Sequence, residues 1–420
     1  MNTDTESLLN EAQSCYESKD YSRSEQLYSS ILSNTDSNEE QIKASEIALL
    51  KLGSIYQNEK NADKLASLIR SSHTFLAVIP KAKTSKIVRS LIDCFQGLPE
   101  SLNLQIEVCQ ELIDWCTSEK RIFLKQNIET KLVSIYLENR DYSNTLKLIA
   151  TLLKELKRLD DKMVLVEVQL LESRAYHALR NMAKSRAALT SARTSANAIY
   201  CPPLLQGALD MQSGILHADD KDFKTAFSYF FETFESYSSQ EDSRAVVALK
   251  YMLLCKIMIG LTDDVNSIVS GKLGIKYAGS AIDAMKRVAE AHRNRSLQEF
   301  EVVLNEHKAE LKNDPIICSH LNALYDTLLE QNLIRVIEPF SRVEIAHVAK
   351  LVNLPTGDVE TKLSQMILDK AFHGILDQGA GCLIVFDEPQ TDKIYDSSLD
   401  TLKNMGNVVE SLYQKAATLG

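Results

Sequence analysis

The sequence has few helix breakers where they would matter most. No proline occurs before Pro80 and none between Pro99 and Pro202, and glycine is equally sparse over that stretch. With both breakers so rare, the first two-thirds of the chain can be helical almost throughout. Strand signals are nearly absent until GILDQGAGCLIVFDE, near residue 380. No run of eighteen apolar residues occurs, and the opening MNTDTESLLNEAQ lacks the apolar centre of a signal peptide. A soluble, intracellular chain is expected, with no membrane partner.

Metal and redox signatures are missing as well. The eight cysteines are scattered, contain no C-x-x-C pair and approach no closer than the seven positions between Cys109 and Cys116. They read as reduced thiols serving as small hydrophobes. The sequence contains no G-x-x-x-x-G-K-[ST], no H-E-x-x-H and no G-x-S-x-G. Gly379-x-Gly381 has Ile384 where a dinucleotide fingerprint needs glycine, so it reads as a hairpin turn. Cys318 and His320, two apart, would point about 200° apart on a helix and could not share one metal. The expectation is no cofactor, no metal and no active site. A formal charge of −10 argues against wholesale nucleic-acid binding.

What the sequence does contain is a beat. CYESKDYSRSEQLYSSIL, IYQNEKNADKLASLI, IYLENRDYSNTLKLI, YHALRNMAKSRAAL and ILHADDKDFKTAFSYF follow one plan. A bulky residue ends a helix, a short polar turn follows, and apolar residues resume. The bulky positions Tyr16, Tyr56, Phe95, Tyr136, Tyr176, Leu216 and Ile257 are 40, 39, 41, 40, 40 and 41 apart. Such a period belongs to helix pairs that bury their apolar faces only by stacking on neighbours. The fold expected is mainly α, beginning with a right-handed α-solenoid of about seven TPR-like helix pairs over residues 1–275.

The beat fades where Gly271, Gly274 and Gly279 interrupt the pattern. Further helices are expected over 276–335. SRVEIAHVAKLV then reads as a helix, with Ser341 and Glu344 at capping-box separation and Val343, Ile345, Val348, Leu351 and Val352 as its apolar residues. LPTGDVETKLSQMILDK is a turn and a second helix with Val359, Leu363, Met366 and Ile367 inside. Ile375–Leu376 and Cys382–Phe386 flank the turn from Asp377 to Gly381, a hairpin by composition. Helix, turn, helix and hairpin over 336–390 make a winged helix.

A DNA-reading winged helix needs cations against phosphate. From Val336 to Pro389 there are four, Arg342, Lys350, Lys362 and Lys370. Eight carboxylates oppose them, among them Asp358 and Glu360 in the first turn of the would-be reading helix and Asp387 and Glu388 at the end. The charge favours protein contact over nucleic acid. Beyond Pro389, residues 391–420 carry Leu402, Met405, Val409, Leu412, Ala416 and Leu419 at spacings of 3, 4, 3, 4 and 3, a short heptad seam. It suits either packing on its own domain or association with helices of other chains.

Solenoid, winged helix and terminal helix, in that order, resemble the plan of the PCI family, found in the proteasome lid, the COP9 signalosome and translation initiation factor three. SARTSANAIYCPPLLQGALDMQSGILHA, ALKYMLLCKIM, LYDTLLEQNLIRVIEPFSRVEIAHVAKL and KLSQMILDKAFHGILDQG closely resemble PCI subunits of the 26S proteasome lid. The match is strongest from about residue 120 onward; residues 1–110 are similar mainly through the repeat. The resemblance implies a non-catalytic scaffold. Winged-helix edges of other PCI subunits would pair with the wing around Cys382, Ile384 and Phe386, taken as an open strand edge. Other lid subunits would gather on Leu402, Met405, Val409 and Leu412 in a bundle of C-terminal helices. The N-terminal solenoid would reach the ATPase ring and the outer ring of the core particle.

Overall fold

The computed structural model describes residues 2–18, 20–33, 39–95, 101–311, 314–352, 354–386 and 393–417. Residues Met1–Met252 form one compact unit and Leu253–Gly420 a second. Pro389 and Leu419, and the carboxylates Asp387 and Glu388, lie outside the described residues.

Helices come in pairs at the sequence period: α1 (Asn2–Glu17) and α2 (Tyr21–Ser33), α3 (Glu39–Asn58) and α4 (Ala62–Val78), α5 (Lys81–Asp93) and α6 (Leu102–Ser118), α7 (Ile122–Glu138) and α8 (Tyr142–Leu159), α9 (Lys162–Ala178) and α10 (Met182–Asn197), α11 (Pro203–Asp219) and α12 (Phe223–Ser239), then α13 (Ala245–Ile259) and α14 (Thr262–Ser270). Tyr16, Tyr56, Tyr136, Tyr176, Leu216 and Ile257 fall near the ends of the odd-numbered helices, and Phe95 just past the end of α5.

The polar turns share a backbone device. Lys60, Arg140 and Arg180 adopt φ of 56°, 60° and 59°, the left-handed conformation. The next residue, Asn61, Asp141 or Asn181, donates its N–H back to the carbonyl of Tyr56, Tyr136 or Tyr176 at 3.0, 3.0 and 2.9 Å. This is a Schellman closure. The same Asx side chain then caps the following helix, accepting from the N–H of Lys64, Asn144 or Lys184. One dipeptide therefore ends one helix and starts the next, which holds the turn length constant and keeps the period from drifting.

Burial then does what no pair could do alone. Tyr28, Leu49, Leu52, Ile55, Leu65, Leu76, Leu91, Phe95 and Leu112 form one continuous core from α2 to α6. At about 1.5–3 kcal/mol per fully buried large side chain, this stacking is the main stabilising term. α11 and α12 pack closely, since a Cβ on Gly214 would lie 2.6 Å from the Phe230 ring and one on Gly207 2.9 Å from Tyr237. Cys109, Cys116, Cys255 and Cys382 are buried. Burial pushes the Cys109 and Cys255 thiols up to about 12, in keeping with inert hydrophobes.

In the second unit α15 (Lys272–Lys276), α16 (Ser280–Asn294), α17 (Leu297–Glu306), α18 (Lys308–Leu311) and α19 (Pro315–Ile337) lead into β1 (Arg342–Glu344), α20 (Ile345–Val352), α21 (Thr356–Leu368), β2 (His373–Asp377), β3 (Cys382–Phe386) and α22 (Lys393–Ala417). Pro315 occupies the first turn of α19, where its missing N–H costs nothing. Val359, Leu363 and Met366 are buried beneath α21 as its spacing required, while Ile367, expected inside with them, is only half-buried.

The expected helix start at Ser341 is overturned. Residues 342–344 are a strand, Ser341 accepts through its carbonyl from the Val385 N–H at 2.9 Å, and the helix begins only at Ile345. Val343 sits opposite Leu383, and both are buried, so strand pairing buries a side chain that a capped helix would have placed in its first turn. No helix of the described residues is long and apolar enough to cross a membrane. Among the described residues no group of His, Cys, Asp and Glu could hold a metal ion.

Candidate interaction surfaces

The three strands run in the order β1-β3-β2, antiparallel throughout. β3 is therefore the central strand, and the expected open edge at Cys382–Phe386 is overturned. Arg342, Val343 and Glu344 pair with Ile384, Leu383 and Cys382 on one side, and His373 to Asp377 pair with Phe386 to Cys382 on the other. Among the described residues, the edges left open are the outer sides of β1 and β2. Cys382 is buried, with the Arg342 Nη2 3.7 Å from its Sγ. Ile384 is half-buried, and of the three wing residues only Phe386 is exposed.

Strand alternation sorts the side chains. Ile375, Ile384 and Phe386 share the face of the sheet opposite to buried Leu383 and Val343. Ile375 is 55% exposed and Phe386 49%, so the open β2 edge carries an apolar border. Sequence reasoning missed Ile375 as a surface residue. Its cue was register, since Ile375 pairs with Ile384.

A duplex would find little charge here. Of the four wing cations, Lys362 is drawn onto α19 by Asp326 at 3.4 Å and Glu330 at 3.1 Å. Asp358 at the start of α21 is exposed.

Leu402, Met405, Val409 and Leu412 lie on α22 and are 65, 60, 63 and 61% exposed. Among the described residues, nothing buries this seam. The stripe also runs farther than expected, because Tyr395 and Leu399 extend it upstream by steps of 4 and 3 and are exposed too. At 1.5 Å per residue the helix is about 38 Å long. Tyr395 and Leu399 lie within residues 391–420 and continue the same spacing, a signal already present in the sequence.

The described surfaces present an open sheet edge and an apolar helix face left exposed.

Comparison with known proteins agrees segment by segment. Residues 5–139 match the family described as the 26S proteasome regulatory subunit RPN6 N-terminal domain, 304–387 the PCI domain, and 391–417 the RPN6 C-terminal helix domain. The probable 26S proteasome regulatory subunit rpn6 of Schizosaccharomyces pombe is 54% identical over 416 residues, 99% of each chain. The 26S proteasome non-ATPase regulatory subunit 11 homolog of Arabidopsis thaliana is 54% identical over 93% of each. Among solved structures, the apo form of RapI aligns with a TM-score of 0.51 at 10% identity, covering 87% of this chain and 99% of that one, a likeness of fold alone. With such identity over nearly the whole length, the chain belongs to the RPN6 family of non-ATPase, non-catalytic regulatory subunits of the 26S proteasome.

Proposed function

We propose that the chain is a scaffold of the regulatory-particle lid, holding lid, ATPase ring and core particle together for ATP-dependent degradation of ubiquitylated proteins. The observation that carries this reading is α22, whose apolar stripe is exposed along its length in a chain with full-length likeness to proteasome subunits. A helix of that kind is stable in water only when other helices cover it.

Other lid subunits would cover Leu402, Met405, Val409 and Leu412 in a bundle. The winged helix of a neighbouring PCI subunit would meet the β2 edge, with Ile375, Ile384 and Phe386 at the contact and Cys382 supporting it from within. The N-terminal solenoid, residues 1–275, would face the ATPase ring and the outer ring of the core particle. Residues 276–335 and 336–390 would be the helical and winged-helix parts of the PCI domain. Nucleic acid and membrane have no part in this function, and its place is the cytoplasm and nucleus.

The test is affinity purification of the tagged native chain followed by mass spectrometry. Lid, ATPase-ring and core-particle subunits are expected together in stoichiometric amounts. Recovery of signalosome or initiation-factor subunits instead would overturn the reading.

A further inference from the structure

The apolar stripe of α22 is its own reverse. Tyr395, Leu399 and Leu402 are separated by steps of 4 and 3, and Val409, Leu412 and Ala416 by steps of 3 and 4. The stripe therefore reads the same from either end, about a centre between Met405 and Gly406. Tyr395, Leu399, Leu402, Met405, Val409 and Leu412 are each between 56% and 72% exposed, and Ala416 is exposed too.

Such a stripe is complementary to a second copy running antiparallel, because a two-fold axis through its centre matches every layer. Tyr395 falls opposite the second copy's Ala416, Leu399 opposite its Leu412 and Leu402 opposite its Val409. At the axis Met405 faces the second copy's Gly406. Glycine weakens a helix interior, and nothing lies within 4 Å of a Cβ placed on Gly406, so packing within the chain does not call for it. Between two helices it leaves the hole that the Met405 knob fills. The flanks are compatible as well. At helical spacing Asp396 comes beside the second copy's Tyr413 on one side, and Lys415 beside its Ser398 on the other. Each charge meets a hydroxyl instead of a like charge.

Area sets the strength of the pair. Six large side chains with on the order of 100 Å² each to cover would bury about 600 Å² per copy and about 1,200 Å² in all. That reaches the lower bound of a specific interface and falls well short of an obligate one. We propose that the chain, when outside a larger assembly, pairs with a second copy through α22 as a weak antiparallel dimer, with a dissociation constant on the order of 10–100 μM. The pair shields the stripe of the free chain and gives way to any bundle that covers more of it. The lid reading uses the same stripe, so the two occupants exclude one another and each is measured by itself.

Sedimentation equilibrium of the purified full-length chain, from about 1 μM to about 200 μM, brackets such a constant. A reversible monomer–dimer equilibrium is expected. It should weaken about ten-fold or more in Gly406→Leu, which fills the hole at the axis, and in Val409→Asp with Leu412→Asp. Circular dichroism melts of Gly406→Leu should be no lower than those of the parent, because the new side chain meets open space within its own chain. Cysteine placement then reads the direction. With a short bismaleimide, Met405→Cys lies beside its own copy at the axis and should give a covalent dimer above the background of the parent. Leu399→Cys alone, about 20 Å along the helix from its own copy, should not, and Leu399→Cys with Leu412→Cys should. A chain that stays monomeric, a dimer unchanged by Gly406→Leu or by the aspartates, an oligomer larger than two, failure of Met405→Cys to cross-link, or cross-linking of Leu399→Cys alone would each overturn the proposal. A monomeric chain that still enters the lid refutes the dimer alone, and a dimeric chain that never enters it refutes the lid reading alone.

Discussion

Replacing Val409 and Leu412 by Asp separates the two things a helix can do, hold its own chain together or hold an assembly together. Both side chains are more than 60% exposed. Burying that remaining surface in a bundle would contribute about 1–2 kcal/mol each, or about 2–4 kcal/mol for the pair. Placing two carboxylates in the seam adds a desolvation cost in the same direction. Association should therefore weaken by at least about 30-fold. The isolated chain should barely notice, because exposed substitutions of this kind usually change stability by no more than about 0.5 kcal/mol. The assay has two arms: the fraction of tagged chain sedimenting with proteasome particles, and the urea denaturation of the purified chain. Normal incorporation would refute the seam as an assembly element. A loss of several kcal/mol in the isolated chain would refute the claim that α22 is unpartnered there.

Other perturbations test the packing and the turns. Gly214→Ala drives a methyl to within 2.6 Å of the Phe230 ring and should cost about 1–3 kcal/mol, read as a lowered thermal midpoint. Arg140→Gly relieves a left-handed backbone at φ 60° and should stabilise the chain by about 0.5–1 kcal/mol in chemical denaturation; a loss of stability would refute the turn assignment. Asp210 is buried, with the Gln206 Nε2 donating at 2.9 Å and Arg193 3.8 Å away, and burial raises its carboxyl above the usual range. The folded state thus holds that proton more tightly than the unfolded one. Relative to Asp210→Asn, the parent should gain stability as pH falls from 7 through the folded pKa, the gain being complete below the unfolded value. A flat difference between the two denaturation series over pH 7 to 4 would contradict this.

The helical repeat was legible because its causes are local. A bulky residue, a residue tolerating the left-handed conformation and an Asx cap recur in order, and each acts within six positions of the others, as Tyr136, Arg140 and Asp141 do. The seam of α22 was legible for the same reason, since a heptad is a property of one helix. The wing was not. Ser341 and Glu344 satisfy the spacing of a helix cap, yet residues 342–344 form a strand, because Leu383, forty positions away, buries Val343. That one pairing moves β3 from edge to centre and hands the open edge to β2. A groove across α5, α7 and α9 likewise joins residues about one repeat apart, Arg89, Lys131 and Glu167, whose meeting depends on how the helices stack. Sequence alone determined the repeat helices, their turns and the seam of α22, through backbone chemistry acting over a few residues. Tertiary structure alone decided which surfaces remain uncovered, because burial is set by neighbours distant along the chain.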